Sequence, residues 1–186
     1  MKNLRVSEWL KEYWVIIAFI LAKLLIHFST NTIYELQRDA FLYSALGEHL
    51  AWGYHSVPPS IGVFANISRF LFGDTTFALR FFPTVTGACS ILLIGLMVRE
   101  MGGKKLAQFI ACLAFLTAPS FLRSNTLFQP VSFNQFYWLL ISFLTFRLIR
   151  TNKQQYWLWI GVVSGLAFLN KYSVFTAHSS LLADML

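Results

Sequence analysis

The feature that most constrains this chain is the apolar run from about Phe77 to Val98. It is on the scale of the ~20 residues needed to cross a bilayer. Backbone N–H and C=O groups find no water in hydrocarbon, so such a run has to bond to itself as a helix. Four further runs repeat the pattern: about Tyr13 to Phe28, about Leu106 to Leu122, about Val131 to Ile149, and one from near Tyr156 past Leu169 that reaches Thr176 at its furthest. The first carries Lys23 and His27 near its far end. Composition agrees, because the 186 residues are 56% hydrophobic and only 12% charged, with 19 Phe and 6 Trp. An average soluble domain carries about 25% charged residues. The expectation is an all-α, polytopic transmembrane protein of about five spans, organised as one module over residues 1–186.

Charge gives the orientation. The net charge of +7 is not gathered on a stripe or tail, which argues against nucleic acid as a partner. Basic residues instead sit in short segments between apolar runs: Lys2, Arg5 and Lys11 before the first, Arg99, Lys104 and Lys105 between the second and third, and Arg147, Arg150 and Lys153 between the fourth and fifth. The positive-inside rule places these three segments and the N-terminus in the cytoplasm. The long segment from about Ser29 to Thr76 then faces outward, as does the short one around Arg123. The mixed-charge start, followed by no small-residue cleavage site, reads as a lead-in to an uncleaved span and not as a signal peptide. Cys89 and Cys112 lie inside apolar runs, and His27, His49, His55 and His178 have no ligand spacing, so no metal site is expected. Gly161 and Gly165 form a small-xxx-small pair suited to close helix packing.

The outward segment is too long for a simple connector and too apolar for a solvated linker. A cap at Asn31 or Thr32 predicts a helix over about Ile33 to Trp52, ended by Gly53. After Pro58 and Pro59 a second helix is predicted over about Ser60 to Phe72, closed by Gly73. Phe41, Leu42, Ala45, Leu46, His49 and Leu50 give the first helix a broad apolar side suited to a membrane surface. Glu35, Asp39 and Tyr43, four apart, would share one face. A carboxylate there can take a proton from an alcohol being made nucleophilic. The same spacing also fits a solvated face screened by Arg38.

The ordered series RDAFLYSALGEHLAWGY, then PP, then LFGD, then ALRFFP, resembles the first outward loop of membrane glycosyltransferases related to protein O-mannosyltransferases and to the aminoarabinose transferase of lipid A. The bacterial pattern is close to RDExYYxALGxHLAWGYxDxPP. Arg38, Asp39, Tyr43, Gly47, His49, Leu50, Ala51, Trp52, Gly53, Tyr54, Pro58 and Pro59 match it, and Phe72, Gly73, Asp74, Ala78, Leu79, Arg80 and Pro83 continue the match. REMGGKKLAQ and NKYS extend the resemblance to about Phe175.

The resemblance implies the C-type glycosyltransferase (GT-C) fold and a polyprenyl-phosphate-linked sugar as donor. The acceptor would be a hydroxyl on a glycan, lipid or protein, and membrane lipids would surround the chain. It implies inverting transfer with Asp39 as general base, in a bacterial inner (plasma) membrane with the loop periplasmic or extracellular, and no cofactor. Glu35, Arg38, Tyr43, His49 and Tyr54 are the candidate substrate-binding residues. The leaving lipid phosphate needs a cation, for which Arg38, Arg69, Arg80, Arg123 and Lys171 are the candidates.

The chain departs from the pattern at Ala40, Ser56 and Val57, where the family often has glutamate, an acid, and Gln or Lys. Before the fourth run, where an acid is common, it has Gln129, Asn134 and Gln135. Family enzymes generally have more spans than five or six, and many add an outer domain. The alternative expectation is therefore a non-catalytic truncated or accessory membrane protein that retains the fold. A transporter would want ionisable residues deep in several spans, and only Lys23 and His27 qualify.

Overall fold

The computed structural model describes residues 6–33 and 35–172. Lys2, Arg5, His178 and the reach of the fifth run beyond Tyr172 lie outside the described residues. Among the described residues the fold is all-α, with no strand: α1 (Val6–Thr30), α2 (Arg38–Leu46), α3 (Ser60–Phe72), α4 (Thr76–Glu100), α5 (Lys105–Thr117), α6 (Pro119–Ser124), α7 (Pro130–Thr151) and α8 (Gln155–Asn170). The five apolar runs fall on α1, α4, the α5–α6 pair, α7 and α8. Two of these helices, over Lys11–Thr30 and Thr76–Glu100, are long and apolar enough to cross a membrane.

The third run is not one helix. Pro119 has no N–H to donate and forces the residue before it out of the α region, so Ala118 is extended (φ −65°, ψ 121°) and the run divides into α5 and α6.

α4 is the centre of the bundle and packs against α1, α3, α5 and α7, while α8 packs on α7. Thr75 caps α4 by accepting from the Ala78 N–H at 3.1 Å. The absence of side chains at two glycines lets neighbours approach its axis. A Cβ at Gly95 would lie 2.5 Å from Ile16, and one at Gly87 would lie 2.7 Å from Asn125 Oδ1 and 2.9 Å from Lys23 Cε. Lys23 is fully buried there, with Nζ donating to the Phe121 carbonyl at 3.4 Å and lying 5.6 Å from the centroid of the Phe115 ring. This lysine bonds the α6 turn instead of lining a pathway.

The start of α1 and the basic residues Arg99, Arg147 and Arg150 meet at one end of the bundle. Arg99 bonds Glu12, and Glu100 receives both Arg147 and Arg150. The α2–α3 segment covers the opposite end.

That segment departs from expectation in its first helix. α3 follows the predicted bounds, but α2 spans only Arg38–Leu46. Its start is delayed because Arg80, reaching up from α4, binds the carbonyls of Asn31 and Glu35, the latter at 2.8 Å. Residues 35–37 are thereby held outside any helix, and Gln37 is extended (φ −67°, ψ 148°). Its end comes early because Gly47 packs onto α3. A Cβ at Gly47 would lie 2.7 Å from the Ala65 Cβ, and Asn66 Nδ2 donates to the Gly47 carbonyl at 3.0 Å. Glu35 therefore does not share a helical face with Asp39 and Tyr43.

Replacing Arg80 by Met strands two carbonyls that a buried guanidinium now binds. The Arg80→Met protein should lose roughly 2–4 kcal/mol of stability, seen as a lower melting temperature in detergent. Proteolysis should concentrate in residues 31–37, and an unchanged melting curve would remove Arg80 as the clamp.

Candidate active site

Asp39 lies in the first turn of α2, where the helix N-terminus favours a negative charge. Its Oδ2 accepts from Gln129 Nε2 at 3.1 Å, across from the start of α7. The same amide nitrogen donates to Gln37 Oε1 at 3.2 Å. Arg38 Nε stands 3.9 Å from Oδ1, and the Asp39 side chain is 41% exposed. That arrangement leaves the carboxylate supported on one side and accessible on the other. Tyr43 follows one turn later. Burial pushes its phenol above the usual tyrosine range and the Asp39 charge adds to the shift, so it is held as a neutral donor.

Gln129 and Tyr43 open onto a cavity of about 370 Å³ whose lining includes Ser56, Pro58, Lys171 and Tyr172. Its two helical walls are tied together: Asn170 Nδ2, at the end of α8, donates to the Pro130 carbonyl at 2.9 Å. Beside it runs an apolar groove of about 400 Å³ lined by residues that include Leu50, Trp52, Val63, Phe64, Tyr137 and Leu166.

The five candidate cations separate clearly. Arg80 is internal and holds backbone carbonyls. Arg69 is engaged by Asp74 at 2.5 Å and Glu48 at 3.1 Å, and Arg123 is exposed on α6. Arg38, 97% exposed beside Asp39, and Lys171, on the cavity wall, are the two placed at the site.

Of the remaining candidates, Glu35 and His49 are exposed. Tyr54 is committed to the backbone: its hydroxyl reaches the carbonyls of Leu46 at 2.9 Å and His49 at 3.1 Å, and receives the Ala51 N–H at 3.3 Å. It staples the turn after α2 to α3, where a Cβ on Gly62 would meet its oxygen at 2.6 Å. Asp39, Arg38 and Tyr43 are thus brought together, while Glu35, His49 and Tyr54 are not. Among the described residues no three His, Cys, Asp or Glu side chains converge as a metal site would require. Sequence reasoning saw Gln129 only as a missing acid. Its contact with Asp39 joins residues 90 positions apart, and the only local signal was its place just before Pro130 at the start of a helix.

Residues 56–186 match the dolichyl-phosphate-mannose-protein mannosyltransferase family. The match covers most of the chain, and the protein belongs to this family of membrane glycosyltransferases of the C type. The matched part includes the Ser56, Pro58, Gln129, Lys171 and Tyr172 walls of the cavity, and begins after the helix that carries Asp39. No curated protein and no solved structure matches the chain.

The placement of Tyr54 has a direct consequence. Tyr54→Phe should cost roughly 1–3 kcal/mol of stability and loosen the turn at residues 47–54. Binding of a glycosyl donor per folded molecule should be unchanged. A Tyr54→Phe protein with wild-type melting but weakened sugar binding would make it a ligand contact instead.

Proposed function

We propose that this protein transfers a sugar from a polyprenyl-phosphate-linked donor to an acceptor hydroxyl at the outward face of the membrane, with inversion at the anomeric carbon. The observation that carries the reading is Asp39, hydrogen-bonded to Gln129 on the wall of a cavity whose lining also includes Lys171, in a chain of the mannosyltransferase family. Asp39 acts as general base. As the acceptor oxygen attacks the anomeric carbon its proton passes to the Asp39 carboxylate, and the bond from that carbon to the phosphate oxygen breaks. Negative charge grows on the departing lipid phosphate, and Lys171 and Arg38 supply the compensating cations. The apolar groove beside the cavity offers a path for the polyprenyl tail.

In this reading the end of the bundle that gathers Glu12, Arg99, Glu100, Arg147 and Arg150 is cytoplasmic. The α2–α3 segment then faces the periplasm or exterior of a bacterial inner membrane, and residues 1–186 form one membrane module. The acceptor is a hydroxyl of a glycan, lipid or protein. A non-catalytic accessory role is the second reading, and Ala40, Ser56 and Val57 favour it. They remove an acid, another acid and a polar or basic residue from the pattern around Asp39.

In membranes supplied with a polyprenyl-phosphate sugar, Asp39→Asn should lower transfer at least about 100-fold with insertion and abundance unchanged. Lys171→Met should lower kcat about 10- to 100-fold while leaving acceptor KM within about threefold. Wild-type chain with no transfer beyond that of Asp39→Asn would give the site to the accessory reading.

A further inference from the structure

We infer that Gln129 is the positioning residue of this site: it fixes the Asp39 carboxylate through Oδ2 and leaves Oδ1 as the oxygen that receives the acceptor proton. The inference rests on the reading of Asp39 as the base and goes beyond it by assigning which oxygen works and what holds it.

Gln129 is itself held from behind. Its N–H donates to the Leu127 carbonyl at 3.0 Å, and its carbonyl accepts from the Ser132 N–H at 3.1 Å. Ser132 Oγ also bonds the carbonyls of Ser124 and Leu127, so the turn before α7 is closed twice over. On either side the chain is anchored by buried Phe128 and by Phe133, whose ring stacks on Phe64 at 4.4 Å between centroids. The next residue, Pro130, opens α7 with φ preset, and its carbonyl is held by Asn170. A side chain mounted on so constrained a turn can aim a hydrogen bond, which is what a positioned base requires.

The amide has two hydrogens, and both are directed at acceptors: Asp39 Oδ2 at 3.1 Å and Gln37 Oε1 at 3.2 Å. An amide turned the other way would set its oxygen against the carboxylate, so the chemistry of the neighbours fixes its orientation. Oδ2 is thereby engaged. Among the described residues Oδ1 keeps only the exposed Arg38 at 3.9 Å, beyond hydrogen-bonding distance, and is the atom left for an incoming hydroxyl. The residue type matters as much as the geometry. A glutamate at 129 would set a second negative charge against Asp39, and a lysine would pair with the base and weaken its pull on a proton. A neutral donor orients the carboxylate and leaves its charge available. Among the described residues, the other charged or titratable groups facing this arrangement are Arg38 and Tyr43 on α2 and Lys171 and Tyr172 just after α8.

The test uses full-length protein in membranes with a polyprenyl-phosphate sugar donor, comparing wild type, Asp39→Asn, Gln129→Leu and Gln129→Glu over a range of pH. Gln129→Leu should lower kcat roughly 10- to 100-fold and leave donor KM within about threefold, because the base is misplaced while the donor site is intact. Gln129→Glu should move the acid limb of the kcat profile to higher pH, a change that a merely structural role would not produce. Should Gln129→Leu fail to insert, the Gln129→Glu profile and the shorter Gln129→Asn, expected to lose activity with KM retained, decide the matter. Wild-type kcat in Gln129→Leu, a raised donor KM with kcat intact, or a Gln129→Glu profile superimposed on wild type would each overturn the inference while Asp39→Asn still upheld the base. Wild type no more active than Asp39→Asn would overturn the base and the inference together.

Discussion

The placement of the site depends on a guanidinium buried under it. Arg80 sits one turn into α4, the helix that touches α1, α3, α5 and α7, and it binds the carbonyls of Asn31 and Glu35. A buried charge is costly unless bonded, and here the bonding partners are the backbone of the segment that leads from α1 to α2. The cost of burying the arginine and the path of that segment are therefore one problem with one solution. It sets where α2 begins, and with it the height of Asp39 above the bundle.

From that fixed start, the site is closed by elements distant in the chain. Gly47 lets the end of α2 lie against Ala65 and Asn66 of α3, and Tyr54 staples the following turn to the same helix. Phe64 of α3 stacks on Phe133 of α7, and α7 presents Gln129 at its start. The bond from Asn170 to Pro130 then brings the end of α8, with Lys171, to the opposite wall. Each contact is modest. Together they set the Gln129 amide and Lys171 on the walls of one cavity, with the Asp39 carboxylate bonded to that amide, the preorganisation that the proposed proton transfer would use.

Polar groups inside the bundle follow the same economy. Lys23 lies on a face of α1 where Gly87 leaves room, and it bonds a carbonyl in the turn of α6 that Pro119 created. From the sequence Lys23 and His27, near the far end of the first run, were the two ionisable residues that a transporter reading could use. In the fold the Lys23 ammonium joins the Asn125 N–H on the Phe121 carbonyl, a use of a long buried donor where water is scarce.

Much of this was legible in advance. Apolar runs of span length made the chain helical because hydrocarbon leaves the backbone no alternative, and α3 could be bounded from two prolines and a glycine. The series around Arg38, Asp39 and Tyr43 pointed to the family and to the candidate base. The helix from Ile33 to Trp52 was misjudged because its limits are set by Arg80 and Ala65, which no local window contains. Glu35 was grouped with Asp39 on a helical spacing that the clamp prevents, and Gln129 read as a loss because its value lies in a partner 90 positions away. The sequence by itself determined helicity, the positions of the apolar runs and the residue types available for chemistry, since these follow from solvent and local propensity. Only the tertiary structure decided which of those residues meet, because hydrogen bonds between distant segments depend on packing that no periodicity encodes.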